Sequence, residues 1–221
     1  MWHKFELDQA REVGQRYIHA VNTLADDTHV IVTVNPELAA LTLEASWIMV
    51  ATTFAVVHVI TNKWKLLVWL NGLDRRTVIG RVWSNRATRE AFVLVWNGIF
   101  EAIQTITGQS LNFKVFSKSS SLLGVLGDSE GAQAQALGDV IILRRLNLKA
   151  VDGVATVDVD TILMFVWKTC LVHFKRGVFA LETYMDSLEF QYLLSFLYLE
   201  TDADIQEYYT FNFAVNPKTP N

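Results

Sequence analysis

Residues 47–59 read WIMVATTFAVVHV, and no formal charge interrupts the chain between Glu44 and Lys63. An uncharged stretch of this length is at the lower edge of what a membrane-spanning helix requires. Its content points elsewhere. Ser46, Thr52, Thr53, His58, Thr61 and Asn62 are polar, and Val, Ile and Thr dominate the remainder. β-Branched residues in a continuous apolar run bounded by charged positions suit a strand buried on both faces. The stretch is therefore read as a central strand, with a membrane-associated segment at residues 45–62 as the alternative.

The rest of the chain can supply the sheet around such a strand. A length of 221 residues accommodates one well-cored domain. Hydrophobic residues make up 51%, with seven Trp and thirteen Phe, so an aromatic core is expected. The single Cys excludes an internal disulfide and fits a reducing compartment. A net charge of -4 gives no global electrostatic footprint for nucleic acid, so any DNA contact has to come from a local patch. The first residues, MWHKFELDQARE, have neither the apolar core of a signal peptide nor the acid-poor character of a transit peptide. A nuclear or cytoplasmic location is expected.

Periodicity predicts a helix over residues 11–24, a strand at 30–34 and a helical turn from Pro36 to Leu43. After the opening stretch come strands at 63–70 and 77–83, joined by Asn71-Gly72-Leu73-Asp74, which has hairpin-turn chemistry. Ser84 or Asn85 can cap a long helix over 86–107, and Gly108 can close it. Short strands are predicted at 111–116 and 122–126, then a helix over 129–145. Residues 150–160 read as a loop or exposed hairpin, 162–167 as a buried strand, and 178 onward as helices, the last over 205–211. Three antiparallel strands, a helix, a strand ending in Asp and another helix define an α/β mixed sheet flanked by helices.

In a sheet of that order, a carboxylate midway along the first core strand lies beside one at the end of the fourth. Two such groups, joined by a third, can hold two divalent cations about 3.5–4 Å apart and activate water for attack at phosphorus. Asp128 is placed for the second position, and a helix N-cap is its alternative role.

The segments WIMVATTF, WKLLVWL, RATREAFVLVWNGIFEAI, GDSEGAQAQALGD and CLVHFKR, in this order, resemble the catalytic region of Mutator-like (MULE-type) DNA transposases in their fungal form. The likeness runs from about Gly14 to about Phe211. It implies an RNase H-like fold with a C-terminal helical insertion, and DDE cut-and-paste chemistry using Mg²⁺. The family's first catalytic Asp belongs in a D-T-T-F context, where this chain has Ala51. Asp128 matches the second, with Gln133 and Gly138 in the accompanying pattern. The third, a Glu beyond the helical insertion, is expected past residue 221, so Glu182, Glu189, Glu200 and Glu207 are not assigned to it.

A methyl cannot ligate a metal, and Mg²⁺ prefers carboxylate oxygens in octahedral geometry. Asp128 alone should hold Mg²⁺ weakly, and the polypeptide is expected to be catalytically inactive. The alternative is an active metal-dependent nuclease subunit completed by a partner chain. Cys170 and His173 have the spacing of half a zinc site, but a structural zinc needs four ligands, which favours ordinary packing of both. Arg75, Arg76, Arg86 and Arg89 could contact DNA phosphates if they converge on one face. The expected organisation is a helix/strand lead-in at 1–44, an RNase H-like core at 45–176 and a partial helical insertion with a disordered tail at 177–221.

Overall fold

The computed structural model describes residues 2–53, 62–70, 75–128, 130–144 and 158–195. The chain forms two compact units, Met1–Thr169 and Cys170–Asn221. The first is a seven-stranded mixed sheet flanked by helices. Its strands are β1 (Ile18–Thr23), β2 (His29–Val34), β3 (Trp47–Thr53), β4 (Asn62–Leu70), β5 (Arg75–Ser84), β6 (Gly124–Gly127) and β7 (Trp167–Thr169). They lie in the order β1-β2-β5-β4-β3-β6-β7. Pairing is antiparallel from β1 through to β3, and β6 and β7 run parallel to β3.

The described part of the opening stretch is thus β3, flanked by a neighbour on each side. Residues 54–61 and the predicted turn at 71–74 lie outside the described residues. Among the described residues, no helix is long and apolar enough to cross a membrane.

Alternation decides which face of the sheet is covered. Ile48 and Val50 on β3, Trp64, Leu66 and Val68 on β4, and Val82 on β5 are all buried. They pack beneath α4 (Arg89–Thr107), whose buried stripe is Phe92, Val95, Trp96, Ile99 and Ile103. Trp64 meets Phe92 edge-on, with ring centroids 5.2 Å apart. Thr88 caps α4 by accepting from the Ala91 N–H, and Gly108 closes it at φ 71°, as a left-handed helix end favours. The cap is therefore not at Ser84 or Asn85. Asn85 instead accepts from the His29 N–H and donates to the Asp27 carbonyl, each at 2.7 Å, which secures the β1–β2 turn.

α5 (Gly131–Leu143) packs on α4, with the Trp96 indole N–H donating to the Gln133 carbonyl at 3.0 Å. Gly138 lets α6 (Val159–Val166) approach, since a Cβ there would lie 2.7 Å from the Val159 side chain.

Three sequence expectations are corrected. Residues 11–24 form no long helix: a 3₁₀ turn at Val13–Gln15 leads into β1, after the short helix α1 (Trp2–Gln9). The buried Asp8 carboxylate accepts from the Tyr17 and Ile18 N–H groups, holding the start of β1 extended. β1 lies over α4 at Gly98, whose missing side chain leaves room for Val32 and Ala20. Residues 162–166 belong to α6 rather than to a strand, because Asp158 caps that helix on the Thr161 N–H; only Trp167–Thr169 are extended. Of the predicted strand at 111–116, the ladder retains a single bridge from Phe113 to Leu122.

The lead-in residues thus give two strands to the main sheet, and α2 (Pro36–Ala39) and α3 (Leu41–Glu44) supply the predicted turn after them. The second unit holds α7 (Leu171–Leu181), a 3₁₀ turn at Glu182–Tyr184 and α8 (Ser187–Ser195). Phe179 and Phe190 pack edge-on there, 5.6 Å apart. Of the predicted loop or hairpin at 150–160, Asp158 to Asp160 instead begin α6, and the rest, like the predicted helix at 205–211, lies outside the described residues.

Candidate functional site

The carboxyl ends of β3 and β6 are where an open α/β sheet presents reactive groups. β3 and β6 pair in parallel with Trp47 beside Gly124, Ile48 beside Val125 and Met49 beside Leu126. Two residues further in that register, Ala51 falls level with Asp128, on strands about 4.8 Å apart. Both residues are part-buried. Across β4 the same row continues as Lys65 and then Arg81 on β5.

Asp128 is not the cap of α5. Glu130 holds the N-cap position, and its side chain makes no capping hydrogen bond. Burial, reinforced by the nearby Asp128 carboxylate, raises the Glu130 pKa above its ordinary value. Glu130 was not singled out in the sequence, although an Asp-x-Glu between a strand and a helix was the available signal. Gln133, three residues after Glu130 on the first turn of α5, is 1% exposed. Its amide oxygen and nitrogen have no partner among the described residues.

The Ala51 side chain offers no ligand atom, so the carboxylates at this end of the described sheet are Asp128 and Glu130. Among the described residues, no group of three or more His, Cys, Asp and Glu side chains is arranged to hold a metal ion. Cys170 is the N-cap residue of α7 and His173 lies in that helix's first turn, so the C-x-x-H pair sits at a helix start in the second unit.

The four arginines do not converge. Arg75 and Arg76 begin β5, whereas Arg86 and Arg89 follow its other end, roughly 30 Å away for a strand of this length. Arg89 is already engaged, gripping Asp139 of α5 through two hydrogen bonds of 2.7 Å. Arg86 donates to the Asp26 carbonyl at 3.2 Å and lies 3.9 Å from its carboxylate. These two close the α4–α5 and β1–β2 junctions and are not a free phosphate clamp.

Comparison with protein-family models, with curated proteins and with solved structures finds no match to the chain.

Proposed function

We propose that the chain is a transposase-derived domain of RNase H-like, DDE type that has lost catalysis and retains DNA or protein binding. The strand arrangement supports the fold part of this reading. Reading β3 as the first core strand, the order β5-β4-β3-β6-β7 has three antiparallel strands, then two parallel to the first, with α4 and α5 in the crossovers. That is the arrangement the transposase resemblance implies.

One feature supports the functional part: continued two residues beyond its last pair, Met49 with Leu126, the β3–β6 register would bring Ala51 level with Asp128. A carboxylate at 51 would complete an acidic pair at the open end of the sheet; a methyl leaves Asp128 and Glu130 as the carboxylates there among the described residues. In-line phosphoryl chemistry depends on metal ions clamping both the attacking and the leaving oxygen. Without that clamp the domain has no means of cutting nucleic acid, and what it retains is binding.

The test is strand cleavage by the purified protein on supercoiled and on oligonucleotide DNA, with Mg²⁺ or Mn²⁺. No nicking above the metal-only control is expected. Cleavage that disappears in Asp128→Asn would overturn the proposal.

A further inference from the structure

The sheet face opposite α4 carries an unusual pairing. On β4, Trp64, Leu66 and Val68 point into the core, so Lys63, Lys65, Leu67 and Trp69 occupy the other face. Across to β5, Lys63 pairs with Trp83, Lys65 with Arg81 and Trp69 with Arg76. Lys65, Arg76 and Arg81 are exposed, and Lys63, Trp69 and Trp83 are part-exposed. β3, β4 and β5 together contain no Asp or Glu. Among the described residues, none of these four cations forms an ion pair; the Arg81 guanidinium donates only to the Tyr17 hydroxyl, at 3.3 Å.

Like charges directly opposite each other on antiparallel strands destabilise a sheet. Lys65 and Arg81 are such a pair, and among the described residues no carboxylate forms an ion pair with either. Among the described residues nothing offsets this repulsion, and an anion bound across the pair would. Lys63 and Lys65 are two residues apart on one strand, about 6.8 Å, and Arg81 extends the charge sideways. Part-exposed indoles on the same two strands supply flat surfaces. Cations interleaved with aromatic rings on an open sheet are suited to a polyanion whose bases are free to stack. A duplex keeps its bases stacked inside and cannot use the indoles.

We propose that the β4–β5 face, through Lys63, Lys65, Arg76 and Arg81 with Trp69 and Trp83, binds single-stranded nucleic acid. Of the arginines considered in the sequence, this surface includes only Arg76. It does not depend on whether the domain has lost catalysis.

The experiment titrates the full chain into a labelled oligothymidylate of about 20 nucleotides and, separately, a duplex of the same length, reading anisotropy and Trp fluorescence at several salt concentrations. The single strand should bind more tightly than the duplex and quench Trp emission, with affinity falling as salt rises. Lys65→Glu/Arg81→Glu should weaken binding at least about 10-fold. Lys65→Gln should weaken it less without lowering the Tm, because it relieves the like-charge pair. No binding, tighter binding to the duplex, or affinity unchanged in Lys65→Glu/Arg81→Glu would each overturn the proposal. The acidic run ETDADIQE at residues 200–207 is the competing occupant. If Glu200→Gln/Asp202→Asn/Asp204→Asn/Glu207→Gln binds the oligonucleotide and the unaltered chain does not, the face serves that run and the proposal fails.

Discussion

Gly80→Ala tests the strand order at its least expected join, β2 against β5. Gly80 pairs with Val34, and a Cβ at this position would collide with the Thr33 carbonyl oxygen while lying 3.3 Å from the Thr33 carbonyl carbon and the Val34 Cα. These are backbone atoms of a central strand, with the buried Val32 and Val34 on either side, and cannot rotate away. Overpacking costs about 1–3 kcal/mol in general, and a backbone obstacle places this case near the upper end. For a chain of this size, about 3 kcal/mol corresponds to a fall in Tm of about 6–12 °C. Gly98→Ala is the internal control. The atoms nearest its Cβ would belong to the Val32 and Ala20 side chains, the closest at 2.8 Å. Replacing a mid-helix glycine also recovers about 1 kcal/mol of helix propensity, so a change within about 3 °C is expected. Urea and thermal denaturation of both variants read the difference. If Gly80→Ala is as stable as the parent, or if Gly98→Ala is the more damaging, the β2–β5 pairing is wrong.

His19 and Trp64 give two further outcomes. Burial lowers the His19 pKa below its ordinary value, outweighing the opposing effect of its hydrogen bond to the Val34 carbonyl. The folded state thus takes up fewer protons than the unfolded one, and stability should be lost as pH falls from about 6.5 towards the depressed value. Urea midpoints at about pH 7.5 and about pH 5.5 should differ less in His19→Gln than in the parent, and an equal loss in both would exclude His19 as the cause. Trp64 is 1% exposed beneath α4. Trp64→Ala should cost about 3–5 kcal/mol, measured by denaturant unfolding, and a loss under about 1 kcal/mol would contradict its place in the core.

The central strands could be read in advance because each has its own signature. β3 is a continuous apolar run, β4 alternates Trp and Leu with Lys, and α4 carries a complete apolar stripe ended by Gly108. The errors came where short apolar runs satisfy two periods at once. Val13, Tyr17, Ile18, Val21 and Leu24 fit a helical stripe, yet residues 18–23 equally suit a strand, and Asp8 and β2 decide between them. Residues 162–166 are apolar enough for a strand, but the cap at Asp158 commits them to a helix.

At the proposed site, Asp128 and Ala51 could be singled out because the expected strand order and the transposase resemblance both point to them. Glu130 was missed because its significance comes from burial beside Asp128, which spacing does not reveal. The engagement of Arg89 by Asp139 spans 50 residues and has no local signal. The Lys65–Arg81 pair depends on a cross-strand register with a shift between Leu66 and Leu67, which only the assembled sheet provides.

The central claim is that position 51 is a vacated carboxylate site beside Asp128, and Ala51→Asp tests it most directly. Two carboxylates about 5 Å apart repel by about 1–3 kcal/mol between aqueous and near-surface dielectric values. Without divalent metal the variant should therefore melt about 2–12 °C below the parent. Millimolar Mg²⁺ or Mn²⁺ should restore most of that loss, while shifting the parent by less than about 1 °C. A variant that melts with the parent and ignores both metals would contradict the claim, because it would show that residue 51 and Asp128 are not neighbours.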